Sequence, residues 1–200
     1  MQRTATLIEP YTREPWVRGI YLVGSASRPF RDRISDYDFE VAVDDAAYAT
    51  ATDAERHVYS IEPGPPPRVD YEFLLRPWSE LEGLAGSTRD LDHYPFQHAR
   101  VLYDPEGTLA PLLGRIAALP KAVRATRLRV HYMELFAGIR RAAKCSERGE
   151  SLNTRLVTAG AVEAFAKMLF LLAGSWPAMR HWTSHELRLA GVDDALVARL

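Results

Sequence analysis

The chain has 200 residues, 47% hydrophobic and 26% charged, enough apolar side chain for one ordinary core or two small ones, which excludes disordered, collagen-like and fibrous classes. Lys and Arg total 25 against 26 Asp and Glu, a formal charge of -1, so the broad basic field of a protein held on nucleic acid by phosphate contacts is missing, and nucleic acid is not an expected partner. The single cysteine, Cys145, can form neither an internal disulfide nor a CxxC clip, which suits a reducing compartment.

Met1 to Pro10 has no continuous apolar segment of the signal-peptide kind. Residues 19–23 (GIYLV) read as a buried strand stopped by Gly24-Ser25. Residues 39–43 (FEVAV) are a second strand, residues 44–56 a helix capped by Asp44 or Asp45, and residues 68–75 (RVDYEFLL) a third strand after the stiff Pro63-Gly64-Pro65-Pro66-Pro67 connector. A short helix over 78–84, a strand over 99–103 and a turn at 104–107 follow.

Most prolines lie before residue 115, and beyond it Ala, Leu, Arg and Glu recur at helical spacing. This shift predicts a first domain over 1–115 and a helical domain over 116–200. One helix spans 121–148 with Val123, Leu128, Val130, Met133, Leu135, Phe136 and Ile139 on a broad apolar face, a second runs to Ala173, and a third covers 178–190. Short connections make an antiparallel bundle the expected arrangement. The longest apolar stretch, 161–173, carries Glu163 and Lys167 and falls short of the roughly 20 residues that span a bilayer. A soluble, cytoplasmic protein without a membrane partner is expected.

The chemistry-bearing segment is 24–39 (GSASRPFRDRISDYDF). Asp36 and Asp38, two apart at the start of a strand, point to one face. Two neighbouring carboxylates repel unless neutralised, and a hard divalent cation such as Mg²⁺ is the economical partner. Gly24 lets a phosphate approach the backbone, and the Ser25 amide and hydroxyl can donate to its oxygens.

An apolar strand, Gly24-Ser25, ten residues and then Asp36-Tyr37-Asp38 flanked by apolar residues resembles the nucleotidyltransferase superfamily typified by DNA polymerase β. The match covers 20–43, including the Ser35-Asp36-x-Asp38 form of small bacterial members; Arg28 fits their Gly-Ser-x-x-Arg loop, whereas Pro29 stands where many members have Gly. The resemblance implies an α+β nucleotidyltransferase fold, a short mixed sheet flanked by helices, and an enzyme that moves a nucleoside monophosphate from a nucleoside triphosphate, ATP favoured, to an acceptor hydroxyl with release of pyrophosphate. It implies Gly24, Ser25, Arg28 and Ser35 as nucleotide-binding residues and Asp70, with Glu72 as rival, as a third carboxylate. Together with Asp36 and Asp38 these would hold two Mg²⁺ ions, or Mn²⁺. The helical region resembles that of kanamycin nucleotidyltransferase, and the acceptor is then a small molecule such as an aminoglycoside-like compound, or a protein side chain. Two alternatives are an antitoxin-like adenylyltransferase acting on a helical toxin partner and a non-catalytic nucleotide-binding module.

Glu163 is a candidate general base; its pairing with Lys167 at i+4 is the plainer reading. His181 and His185 have metal-ligand spacing without a third ligand nearby, and Arg140, Arg141, Lys144 and Arg148 read as a solvated basic face. Trp176, Trp182 and Phe170 read as core, and an apolar face left over on the helical half could support a homodimer.

Overall fold

The computed structural model describes residues 2–29 and 31–200. Two compact units emerge: one runs to Ser87 and resumes over Pro95–Ala118, the other comprises Thr88–Tyr94 and Leu119–Leu200.

The first unit is built on a mixed five-stranded sheet in the order β3-β4-β2-β1-β5, formed by β1 (Val17–Val23), β2 (Tyr37–Val43), β3 (His57–Glu62), β4 (Arg68–Pro77) and β5 (Arg100–Tyr103). β2 and β4 run parallel, placing Asp38 opposite Glu72; all other pairs are antiparallel. The period of two along each strand divides the core. Ile20, Leu22, Phe39, Val41, Phe73 and Leu75 pack in one cluster with Ile8 of α1 (Gln2–Thr12). Tyr21, Val23 and Ala42 join a second cluster with α4 (Trp78–Leu84) and α5 (Leu109–Ala117).

The helix expected over 44–56 is two short helices, with a strand beginning directly after them. α2 (Asp45–Thr50) ends at Ala51, α3 (Asp53–Arg56) begins with a capping box between Thr52 and Glu55, and β3 follows at once. Thr52 satisfies the Glu55 amide and Glu55 satisfies that of Thr52, which sets a new helix start inside the stretch read as continuous. α1 and α5 were not expected from the sequence.

In the second unit α6 (Lys121–Glu147) and α7 (Ser151–Ala173) form an antiparallel hairpin around Gly149, which has φ 73°. Along its seam, positions 128, 131, 135, 138, 142 and 145 of α6 are among the less exposed ones, as are 154, 157, 161, 164, 168 and 171 of α7. The 3-4 spacing is that of helices packed at a shallow angle. The helices are closest at Gly138, where a Cβ would lie 2.9 Å from that of Ala161. The seam corrects the expected apolar face of α6: Val130, Met133, Phe136 and Ile139 are exposed, because the contacts follow the 128–131–135–138 line instead.

The expected third helix is a 3-10 turn (Arg180–Trp182) leading into α8 (Thr183–Leu189), followed by α9 (Asp194–Val197). These pack with Tyr94, Phe170 and Trp176, and His93 stacks on Trp176 at 4.0 Å. Among the described residues, α7 alone is long and apolar enough to cross a membrane by length and composition. One such helix is weak evidence, since buried core helices pass the same test; 28% of this span is buried, and α7 has its seam with α6 and a Glu163–Lys167 pair of 2.9 Å.

Candidate functional site

β1 ends at Gly24, whose φ of 63° and ψ of -157° favour a residue without a Cβ. The chain then folds into a 3-10 turn over Ser25–Ser27. The Gly24 carbonyl accepts from the Ser27 hydroxyl at 2.8 Å and from Arg28 Nη1 at 2.5 Å. Ser25 and Arg28 are buried. Arg28, expected to meet phosphate, therefore holds the loop's own backbone. Ser35 is also engaged within its loop: its hydroxyl donates to Asp32 Oδ1 at 2.9 Å and accepts from the Asp32 amide at 3.1 Å. Both residues shape the segment between Gly24 and Asp36.

Asp36 and Asp38 lead into β2 on one side of the sheet, and the parallel register brings Glu72 of β4 against Asp38. Burial, then the charges of Asp36 and Glu72 and a hydrogen bond with Glu72, push the Asp38 carboxyl up to about 7. Asp36 is raised too, chiefly by burial with Glu72 adding to it, against the opposing effect of its own backbone hydrogen bond and of Arg31. Three carboxylates thus share one partly buried place.

Of the two β4 carboxylates, Glu72 is the one that meets the pair. Asp70, the first choice on resemblance, is ion-paired with Arg3 of α1. Glu72 also receives His57 Nε2 of β3 at 2.9 Å. On the Tyr37 ring, Arg31 sits at 3.9 Å and Arg3 at 5.6 Å from the centroid, so two guanidinium groups border the carboxylates.

Behind Asp38 on the same strand, Glu40 is buried and accepts from the Tyr21 hydroxyl at 2.5 Å and from Arg76 Nε and Nη2 at 3.1 and 3.2 Å. Sequence reasoning stopped at Asp38; the same period of two would have carried it on to Glu40. His57, Arg31 and Arg3 had no such signal, since a strand pairing and two aromatic contacts bring them in.

The donor set fits a hard divalent cation in chemistry, being all carboxylate oxygen with charges that repel one another. Among the described residues, His181 and His185 included, no three His, Cys, Asp or Glu side chains are already gathered as a metal site. In the other unit Glu163 binds Lys167 at 2.9 Å and Arg180 at 2.7 and 2.9 Å. Burial raises its pKa, but these two cations outweigh it and hold the carboxylate below its usual range, which makes it a weak proton acceptor.

A family model described as a domain of unknown function (DUF4037) matches residues 89–183. The solved structure of a nucleotidyltransferase-like protein from Exiguobacterium sibiricum 255-15 is similar at TM-score 0.52 and 17% identity, covering 99% of this chain and 64% of that one. The chain thus spans about two thirds of the length of that relative, and the likeness establishes a nucleotidyltransferase-like fold. No curated protein matches.

Proposed function

We propose that the chain transfers a nucleoside monophosphate from a nucleoside triphosphate, with ATP the favoured donor, to an acceptor hydroxyl, releasing pyrophosphate. The observation that carries this reading is the crowding of Asp36, Asp38 and Glu72 beside Gly24 on a nucleotidyltransferase-like fold. Asp36 and Asp38 would hold both of two Mg²⁺ ions, with Glu72 in place of Asp70 as the third carboxylate. Bound there, Mg²⁺ neutralises the triphosphate and lowers the pKa of the acceptor hydroxyl.

The chain's own groups supply the positioning. The missing Cβ of Gly24 leaves room for the Asp38 carboxylate at the end of β1, and the Ser25 amide and hydroxyl in the turn that follows would donate to phosphate oxygens. Arg31 is better placed than the buried Arg28 to meet phosphate oxygens, because it stands over Tyr37 and is felt by Asp36. Glu40, held by Tyr21 and Arg76, anchors the strand that carries the carboxylates. The resemblance of the helical region to that of kanamycin nucleotidyltransferase supports giving that region the acceptor, and the lone Cys145 suits a cytoplasmic setting.

The test is thermal stability with ATP, GTP, CTP and UTP, each with and without Mg²⁺. A ligand that binds only the folded state raises the melting temperature by mass action. A Mg²⁺-dependent shift that Asp36→Asn and Asp38→Asn both lose is the expected result. A shift that both variants keep would refute the site.

A further inference from the structure

The helical unit contains a polar cavity of ≈ 560 Å³ lined by Arg89, Asp90, Arg127, Glu163, Lys167 and Arg180 among others. That volume is in the range of small-molecule sites. An apolar cavity of ≈ 590 Å³ adjoins it, sharing Glu163, Lys167, Ala178 and Arg180 and bounded by side chains such as Phe170 and Leu187.

The two carboxylates of the polar cavity are already satisfied. Asp90 receives Arg127 Nε at 2.9 Å and Nη2 at 2.5 Å, with His131 Nε2 at 3.3 Å. Glu163 receives Lys167 on one oxygen and Arg180 on the other. The cations have capacity to spare: a guanidinium carries five N–H donors and an ammonium three. Arg127 uses Nε and Nη2, Arg180 uses Nε and Nη2, and Lys167 makes one ion pair. Arg89 also lines the cavity and has Asp92 as its own ion-pair partner at 3.9 Å. Arg127, Lys167 and Arg180 thus keep donors to spare while both oxygens of Asp90 and of Glu163 are engaged, three cations against two carboxylates. A ligand that brings positive charge would meet repulsion there, and one that brings acceptor oxygens would not.

We infer that this cavity binds an anionic small molecule, a hydroxy compound bearing a phosphate or carboxylate, with the adjoining cavity receiving its less polar part. Calling this ligand the acceptor rests on the transfer reading above; the preference for anions does not. The inference turns the acceptor class away from polycationic aminoglycosides.

Binding of glucose 6-phosphate, gluconate, glucose and kanamycin is compared by calorimetry on the full chain in EDTA. The expected result is heat from glucose 6-phosphate, gluconate or both, which also identifies the anionic group, and none from glucose or kanamycin. Arg180→Ala alone, at a side chain 85% exposed, and combined with Lys167→Met should weaken that binding about tenfold or more, the loss expected of a charge-assisted hydrogen bond, while the Mg²⁺-dependent nucleotide shift persists. Kanamycin binding as well as the anions, silence from both anions, or anion binding unchanged in the double variant would overturn the inference. Because the anion is measured without metal, absence of any nucleotide shift beside normal anion binding would sink the transfer reading and leave this one standing.

Discussion

Gly24 and Asp38 face each other so closely that a Cβ built on Gly24 would overlap the Asp38 carboxylate, falling 2.7 Å from its Cγ. The end of β1 and the start of β2 therefore constrain each other, and the Gly-Ser and Asp-x-Asp parts of the motif form one packed contact. Gly24→Ala meets two penalties, the overlap and a positive φ. It should cost about 1–3 kcal/mol of stability and remove the Mg²⁺-dependent nucleotide shift, as chemical denaturation and a melting curve would register. Wild-type stability in this variant would mean that the loop can move away from Asp38.

Glu72 and Asp70 can be separated experimentally. Glu72→Gln should abolish the metal-dependent shift, because Glu72 bears on both Asp36 and Asp38. Asp70→Asn loses an ion pair with a half-exposed Arg3, worth about 0–1 kcal/mol, and should keep most of the shift. The reverse pattern would restore Asp70 as the third carboxylate.

Much of this site is legible in the sequence, and for a physical reason. Gly24 and Ser25 follow the end of β1, and Asp36 and Asp38 stand at the start of β2, the next strand, so a short run of residues records their spacing. The choice between Asp70 and Glu72 is not recorded there, because it depends on the β2–β4 register and on an arginine in α1 that is 67 positions away. Arg28 and Ser35 match the family pattern by type, yet their side chains hold backbone and loop, which composition cannot distinguish from phosphate contact. In the helical unit the period of 3.6 located α6 and α7, but not which apolar residues face inward; the 3-4 seam through Gly138 and Ala161 decides that. The segment 88–94 packs with the helices through Asp90, His93 and Tyr94, although it lies well before the change in composition near residue 115.

Glu40 gives a stability test separate from the chemistry. Glu40→Ala removes the acceptor of both Tyr21 and Arg76 in a buried setting and should destabilise the first unit by about 3 kcal/mol, read as an earlier urea transition. Burial first, then the Glu40 charge, raises the Tyr21 phenol well above its usual value. A raised phenol favours the protonated form in the fold, so this contribution is complete below about pH 10 and is lost as pH rises further. Tyr21→Phe should flatten that alkaline loss; an unchanged alkaline profile would exclude Tyr21 as its source.

Asp90 makes the opposite prediction at acid pH. Burial alone would raise its pKa, but hydrogen bonds from His131 and Arg127 overcome it and hold the carboxyl below its ordinary value. A depressed carboxyl gives stability that is fully present above about pH 4 and lost as pH falls through the lower, folded value. The unit containing α6 and α7 should therefore weaken in acid as Asp90 takes up a proton and Arg127 loses its partner. Asp90→Asn should reproduce that loss at neutral pH, costing about 3 kcal/mol because it leaves the Arg127 charge without its partner, and should leave a flatter profile below pH 4. Circular dichroism at the helical wavelength, followed against pH for both proteins, decides it: a variant as stable as the wild type at neutral pH, with the same acid limb, would show that the Asp90–Arg127–His131 cluster does not hold Thr88–Tyr94 to the hairpin.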